Sequence, residues 1–130
     1  MFPVRVYYED TDLAGVVYYA NYLKFYERGR TEMVRELGVD QALLIEQGLA
    51  FAVARAEVDY LKSARFNDAL EVVTEVQRFG RASVTFAQFI RLSNSPEIVL
   101  SKALIKVACV TVNDMKPAAL PEVLVKEWQQ

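Results

Sequence analysis

The sequence predicts an α+β domain in which one long helix lies along a single curved β-sheet, and two observations support this expectation. Large apolar residues recur every three or four positions between Asn21 and Leu37, which is the spacing of an amphipathic helix. Four long segments rich in Val, Ile, Phe or Thr then follow, separated by turn-forming residues. Such a helix is about 25 Å long and ten-residue strands are about 33 Å long, so one helix can lie along one sheet.

An acidic turn connects the first predicted strand to the helix. Val4 to Tyr8 is short, β-branched and aromatic, which favours a strand. Glu9, Asp10 and Asp12 follow, with Gly15 close behind. A carboxylate in this turn can face the amide groups at the start of the helix, where the helix dipole is positive.

The long helix is predicted to have defined ends and one close contact. Asn21 is expected to cap the first amides, and Gly38 is expected to end the helix in the left-handed conformation. Gly29 lies within the apolar stripe, where glycine costs about 1 kcal/mol relative to alanine, and we expect it to let the sheet approach closely. The stripe consists of Tyr22, Phe25, Tyr26, Met33 and Leu37.

The remaining segments complete one domain that spans residues 1–130. Asp40 is expected to cap a short second helix that runs through Gln47. The tail from Met115 to Pro121 is predicted to be extended, and a short terminal helix is predicted after it. The four predicted strands are Phe51 to Leu61, Leu70 to Phe79, Ala82 to Leu92 and Ile98 to Asn113.

Composition limits the possible functions. With 130 residues, of which 53% are hydrophobic, the chain can supply one continuous core. The net charge of −2 argues against a general nucleic-acid binder. The chain contains no histidine, so chemistry near neutral pH has to use carboxylates, backbone dipoles, hydroxyls or the single thiol.

We expect the protein to be cytoplasmic. The N-terminus has no basic region followed by an apolar stretch, and no segment approaches the roughly 18 apolar residues that a membrane span requires. The lone Cys109 cannot form an intramolecular disulfide, which is compatible with a reducing compartment.

Two motifs identify a resemblance that covers nearly the whole chain. VYYEDTDLAGVVYYANYLKFYERGRTE and MKPAALPE resemble segments of the Tol-Pal-associated acyl-CoA thioesterases, a branch of the 4-hydroxybenzoyl-CoA thioesterase group. The resemblance implies the hotdog fold, in which a strongly curved antiparallel β-sheet wraps around one long central helix. It also implies hydrolysis of acyl-CoA thioesters without a cofactor, with acyl carrier protein as an alternative carrier of the acyl group.

The resemblance assigns two catalytic groups. In this family the aspartate that matches Asp12 is catalytic, and the backbone amide that matches Tyr19 polarises the thioester carbonyl. Tol-Pal-associated members commonly carry a histidine at the position of Tyr19, whereas the 4-hydroxybenzoyl-CoA type carries a tyrosine. Asp12 could act as nucleophile or as general base, and both roles remain open. From spacing alone, Asp12 could also merely cap a turn.

A second motif, RFGRAS, is a candidate site for coenzyme A. Two guanidinium groups beside a glycine can bind phosphates, and the resemblance implies that a basic turn here contacts the nucleotide end. An ordinary solvated hairpin is the alternative, and Lys62 and Arg65 are weaker candidates. The candidate residues in the motif are Arg78, Gly80, Arg81 and Ser83.

Other features favour structural roles. Cys109 alternates within a predicted strand and has no histidine to activate it, so we expect it to pack in the core. Glu9, Asp10 and Asp12 would form at best a weak site for a hard cation, so no metal is expected.

The exposed edges of a sheet with one covering helix predict a homodimer or homotetramer. A hotdog hydratase is disfavoured because the familiar ones use histidine. A noncatalytic module that binds acyl-CoA or acyl carrier protein remains the alternative to an enzyme.

Overall fold

Residues 1–130 are described by a computed structural model in which five antiparallel strands form one curved sheet beneath a long helix. The strands are β1 (Phe2–Arg5), β2 (Leu49–Tyr60), β3 (Ala69–Phe79), β4 (Ser83–Leu92) and β5 (Ser95–Thr111). The helices are α1 (Asn21–Glu36), α2 (Gln41–Glu46) and α3 (Glu122–Trp128). The strands lie in the order β1-β3-β4-β5-β2. This arrangement confirms the predicted α+β class and the hotdog architecture.

The middle of α1 packs directly on the sheet. Tyr22, Phe25 and Tyr26 are buried against it, as the apolar stripe predicted. A Cβ atom at Gly29 would lie 2.7 Å from Cγ1 of Val72 and 3.1 Å from Oγ1 of Thr74, which is closer than side chains normally approach. The predicted role of this glycine, a close approach between helix and sheet, is therefore confirmed.

Polar side chains join the helix to the sheet beneath this contact. The buried Gln88 amide donates to the carbonyl of Tyr26 at 3.0 Å and to the hydroxyl of Thr74 at 2.8 Å. The Tyr26 hydroxyl donates to the Ser101 hydroxyl at 2.6 Å, and burial raises the pKa of Tyr26. Because buried polar groups with satisfied hydrogen bonds specify one arrangement, these bonds fix α1 against β4 and β5.

The predicted first strand is wrong at its end. Tyr8–Asp10 form a 3₁₀ turn, and the ladder of β1 ends at Arg5. The Asp10 carboxylate accepts the amide N–H of Tyr7 at 2.8 Å, so a side chain takes the hydrogen bond that a strand partner would have accepted.

The predicted cap at Asn21 is also wrong. Ala20 is the residue before the helix and already has helical angles, with φ −67° and ψ −22°. The side chain of Asn21 instead donates to the carbonyl oxygen of Asp10 at 3.0 Å. The resulting contact ties the acidic turn to the start of α1.

Most of the other local predictions are confirmed, apart from small shifts at element ends and Met115, which was predicted to be extended but has φ +56°. Asp40 caps α2 by accepting the N–H of Ala42 at 2.8 Å. The extended tail packs across the sheet, where Ala118 donates its N–H to the carbonyl of Cys109 at 2.8 Å. Cys109 is fully buried, and burial raises the pKa of its thiol.

The two edges of the sheet differ in length and exposure. β1 has four residues, whereas β2 has twelve and is paired only with β5. Most side chains of β2 are exposed, including Val53 at 55%. No helix in the structure is long and apolar enough to span a membrane.

Candidate active site

The acidic turn is the tip of a tight hairpin that precedes α1. The N–H of Asp12 donates to the carbonyl of Val16 at 2.9 Å, and the N–H of Tyr18 donates to the carbonyl of Asp10 at 2.9 Å. Gly15 has φ +80°, a conformation that side-chain-bearing residues rarely adopt. The backbone of this hairpin therefore fixes the position of Asp12.

The Asp12 carboxylate is exposed, and only one of its two oxygens accepts a hydrogen bond. Its Oδ1 accepts the N–H of Ala14 at 2.9 Å, which is the turn-capping contact expected of an aspartate here. No group of the chain donates to Oδ2. Asp12 thus stabilises its turn with one oxygen and leaves the other free for a substrate or a water molecule.

The hairpin is attached to both the helix and the sheet. The Asn21 contact with the Asp10 carbonyl holds the hairpin to α1. The N–H of Val17 donates to the carbonyl of Ala64 at 2.8 Å, which attaches its second arm to the segment before β3. These contacts hold the hairpin that carries Asp12 against the start of α1.

The start of α1 carries unpaired amides. Neither Tyr19 nor Ala20 donates its N–H to any group of the chain. Such amides carry the partial positive charge of the helix dipole. The Tyr60 hydroxyl donates to the carbonyl of Tyr19 at 3.1 Å, which holds the peptide group between Tyr19 and Ala20 in place.

An open cleft of about 870 Å³ surrounds Asp12. Tyr18 and Asn21 line it, whereas Tyr19 and Ala20, which lie between them in the chain, do not. The rest of the lining includes exposed apolar side chains that can contact an acyl or pantetheine chain: Tyr8, Leu13 and Phe66. The structure therefore brings the predicted carboxylate into a cleft that reaches the first residue of the helix.

The residues predicted to bind coenzyme A lie far from Asp12, at the opposite end of β3. Asp12 follows β1, whose last residue Arg5 pairs with Ala69 at the beginning of β3. Arg78, Gly80, Arg81 and Ser83 lie around the turn after β3. The ten residue steps from Ala69 to Phe79 span about 33 Å. A single chain consequently does not bring this turn to Asp12.

The weaker basic candidates are closer. Arg65 forms a β-bridge with Val16 and so lies directly beside the acidic hairpin. Its side chain is exposed, as is that of Lys62 three residues earlier. Within one chain, the structure therefore places these two cations nearer the acid than Arg78 and Arg81.

Sequence reasoning missed the aromatic support of the helix start. The Tyr60 ring packs edge-on against Tyr19 and Tyr22, with centroid distances of 6.1 and 5.3 Å. The Tyr22 hydroxyl accepts the N–H of Ala64 at 3.1 Å. Burial raises the pKa of Tyr22 and of Tyr60, so both hydroxyls keep their protons at neutral pH. Tyr60 lies one residue before the end of the predicted strand from Phe51 to Leu61, and nothing in its spacing indicated this contact.

The acidic side chains of the hairpin do not converge. The chain contains no group of three Asp, Glu or Cys side chains that could hold a metal ion. The cleft therefore offers one free carboxylate oxygen, main-chain N–H groups and apolar walls.

Comparisons with known proteins agree on one family. The model of the thioesterase-like superfamily matches residues 6–128. An acyl-CoA thioesterase YbgC of Haemophilus influenzae is 52% identical over 122 residues, covering 93% of this chain and 88% of the relative. An acyl-CoA thioester hydrolase YbgC of Escherichia coli O157:H7 is 45% identical and covers 98% and 94% of the two chains.

Solved structures share the fold. A probable thioesterase from Bartonella henselae is 34% identical with a TM-score of 0.81, covering 92% of this chain and 96% of that one. A 1,4-dihydroxy-2-naphthoyl-CoA thioesterase from Synechocystis has a TM-score of 0.87 at 24% identity, covering 98% and 90%. The resemblance to hotdog thioesterases is thereby confirmed, and the chain belongs to the thioesterase-like superfamily.

Proposed function

We propose that this thioesterase hydrolyses acyl-CoA thioesters to a free acid and coenzyme A, with Asp12 as the catalytic carboxylate. One observation carries the proposal: a free carboxylate oxygen lies in a cleft lined by Tyr18 and Asn21, the two residues that flank the unpaired amides of Tyr19 and Ala20 at a helix start. The names of the Haemophilus and Escherichia relatives agree with this substrate class. Acyl carrier protein is the alternative carrier, because it presents the same thioester.

The unpaired amides suit the transition state of thioester hydrolysis. Attack on the carbonyl carbon moves negative charge onto the carbonyl oxygen, and a donor already in place raises the rate of this step by about 10²- to 10³-fold. We assign the N–H of Tyr19 to this role. The tyrosine side chain is not needed for it, so a histidine at this position in related proteins would supply the same amide.

Two routes through Asp12 give the same products. As a general base, Asp12 takes a proton from water while the water oxygen attacks the carbonyl, and the sulfur leaves as a thiolate that is then protonated. As a nucleophile, its oxygen displaces the thiolate and forms an anhydride, which water then cleaves. Oδ1 stays occupied by the Ala14 amide, so Oδ2 is the reacting atom in both routes.

The first test is Asp12→Asn. An amide oxygen can still accept the Ala14 N–H, so the turn should persist while kcat for acyl-CoA falls by about 10²- to 10⁴-fold. Glu9→Gln removes the same charge from the same cleft and should retain turnover. Turnover that survives in Asp12→Asn would overturn the assignment. Wild-type protein that binds acyl-CoA but never hydrolyses it would favour a noncatalytic binding module.

Isotope labelling separates the two routes. A single turnover in heavy-oxygen water should give labelled acid directly if Asp12 is a general base. If water instead cleaves an anhydride at the Asp12 carboxyl, the first acid released is unlabelled and the label remains on Asp12. The oxygen content of the first product is read by mass spectrometry.

We propose that the basic turn from Arg78 to Ser83 binds the coenzyme A that occupies the active site of a neighbouring subunit. The long, exposed β2 edge is paired on one side only and offers a template for a second copy. Pairing two β2 strands antiparallel reverses the partner, so the partner's β3–β4 turn comes to the end of the sheet that carries Asp12. A dimer, or a dimer of dimers, would thereby let the two arginines hold coenzyme A phosphates that one chain cannot reach.

This arrangement predicts how Arg78→Ala and Arg81→Ala behave. Both should raise KM for acyl-CoA while kcat changes little, because a phosphate contact far from the carbonyl binds substrate and transition state alike. Arg35→Ala on α1, away from the proposed β2 interface, is a matched control for the loss of an exposed arginine. An unchanged KM in both variants would leave Lys62 and Arg65 as the cations for the phosphates.

The cytoplasm is the proposed compartment, since coenzyme A substrates and an unpaired buried thiol suit it.

A further inference from the structure

A second cavity lies beneath the middle of α1, away from Asp12. It has a volume of about 170 Å³ and is enclosed by α1, α2, α3 and the inner face of the sheet. Most of its wall is apolar. The apolar lining is Val34, Phe51, Val53, Val84, Phe86, Val107 and Trp128.

One cation lines this apolar cavity. The Arg30 guanidinium makes a single hydrogen bond within the chain, in which it donates to Oε1 of Gln88 at 3.1 Å. No carboxylate lies within 4.0 Å of it, although Glu27 lines the same cavity. Arginine carries five N–H donors, and because Arg30 is half-buried its other donors can reach water until an occupant of the cavity displaces that water. Burial lowers the pKa of Arg30 and the charge of Glu27 raises it, which agrees with a poorly solvated cation.

A groove along α1 shares part of its lining with this cavity. It begins at Leu23 and Lys24, has a volume of about 440 Å³, and shares Glu27, Arg30 and Val53 with the cavity. Arg30 lies ten positions after Ala20, which is about 15 Å along the helix. An aliphatic chain whose thioester carbonyl lies at the Tyr19 amide can therefore follow the groove to Arg30.

We propose that this cavity receives the far end of an aliphatic acyl group and selects chains that end in a hydroxyl. The inference rests on the proposed function, because it takes the acyl carbonyl to lie at the helix start. A hydroxyl oxygen accepts from the Arg30 guanidinium, and its hydrogen is donated to the Glu27 carboxylate. A terminal carboxylate meets Arg30 but is repelled by Glu27, and a terminal methyl leaves the Arg30 donors unpaired.

Both cavity charges have local partners that keep them in place. The Thr31 hydroxyl donates to Oε2 of Glu27 at 3.2 Å, and the Gln41 amide donates to Thr31 at 3.4 Å. Gln88, which receives the Arg30 bond, is itself held by the Tyr26 carbonyl and the Thr74 hydroxyl. Arg30 and Glu27 are therefore specificity-determining residues in this proposal, distant from the reacting atoms.

The test measures kcat/KM for sets of aliphatic acyl-CoAs of equal chain length that end in a methyl, a hydroxyl or a carboxylate. At the length that fits, the wild type should prefer the hydroxyl end. In Arg30→Met the ratio of kcat/KM between hydroxyl and methyl ends should fall by about tenfold or more, the usual size for a hydrogen bond to a charged group. Because the ratio compares substrates on one preparation, it does not depend on the fraction of folded enzyme.

A second variant gives an independent signature. Glu27→Gln removes the repulsion, so turnover of the carboxylate-ended chain should rise relative to the methyl-ended chain. Glu27 is exposed, and this change does not depend on whether Arg30→Met folds. Arg35→Met, the same substitution on the same helix but outside the cavity, should leave both ratios unchanged.

The outcomes distinguish this inference from the proposed function. If the wild type hydrolyses the series but favours methyl ends at every length, or if Arg30→Met keeps the wild-type ratios, the cavity proposal is overturned and the acyl-CoA hydrolase remains. If the wild type hydrolyses no member of this aliphatic series, the cavity proposal is overturned, and if it also fails to hydrolyse aromatic acyl-CoAs, the proposed function is overturned as well.

Discussion

The first turn of α1 and its middle are built in opposite ways. At the start, the N–H groups of Tyr19 and Ala20 have no partner, and the Tyr19 side chain is 61% exposed. In the middle, Gly29 lies so close to Val72 that a single added carbon atom would clash. The buried amide of Gln88 is fully bonded at this same level of the helix.

This difference assigns catalysis to the start of the helix and stability to its middle. The first amides of a helix have no partner within it, so they are available to a ligand. The tightly packed middle holds the helix to the sheet and so fixes where those amides lie relative to Asp12. Changes at the start should therefore alter turnover with little effect on stability, and changes in the middle should do the reverse.

The largest expected effect is at the start of the helix. Tyr19→Pro removes the amide hydrogen itself and should lower kcat for acyl-CoA by about 10²- to 10³-fold. Tyr19→Phe keeps the amide and the ring, so its kcat should stay close to that of the wild type. Steady-state kinetics give the two values, and thermal unfolding checks that Tyr19→Pro remains folded.

The pair of variants can also reverse the assignment. A large loss of kcat in Tyr19→Phe would move the catalytic role from the amide to the tyrosine hydroxyl. Equal and high activity in both variants would instead leave the Ala20 amide as the donor.

The next effect is expected in the middle of the helix, on stability. Gly29→Ala adds a Cβ 2.7 Å from the buried Val72 side chain, and overpacking of this kind costs about 1–3 kcal/mol. Better helix propensity offsets about 1 kcal/mol of that cost. We expect a net loss of about 1 kcal/mol in the free energy of unfolding, measured by urea denaturation, with kcat per folded molecule retained.

Gly80→Ala is the matched control for this prediction. No atom lies within 4 Å of a Cβ built at Gly80, and its φ is not in the left-handed region. Its stability should change by less than about 0.5 kcal/mol. Gly29→Ala that is as stable as Gly80→Ala would show that the sheet can move away from the helix.

The sequence predicted the position and packing of α1 better than the individual contacts at its start. The apolar stripe placed α1 to within one residue at its C-terminal end, and a glycine inside that stripe predicted the close approach at Val72. Such features follow from local periodicity. The role of Asn21 depended on the carbonyl of a residue eleven positions away. Local preference favoured Asn21 as the cap, but Ala20 already has helical angles, so Asn21 does not occupy the cap position.

Contacts between distant segments escaped prediction for the same reason. Tyr60 and Tyr19 are forty-one residues apart, and their hydrogen bond exists because β2 ends beside the helix start. Arg30 reads from the sequence as one of several polar residues on a helix, and its position in a cavity follows from the packing of three other elements. The placement of Asp12 was predictable because the hairpin and the helix are adjacent in sequence.

The smallest expected effect tests whether the support of the helix start contributes to catalysis. Tyr60→Phe keeps the ring that packs on Tyr19 and Tyr22 but removes the hydroxyl that donates to the Tyr19 carbonyl. A lost neutral hydrogen bond is worth about 1 kcal/mol, so kcat should fall about fivefold while KM changes little. Tyr7→Phe removes an exposed hydroxyl that makes no hydrogen bond and should match the wild type. If Tyr60→Phe lowers only the melting temperature and keeps the wild-type kcat, the Tyr60 contact belongs with the packed middle of the helix and has no part in positioning the amides.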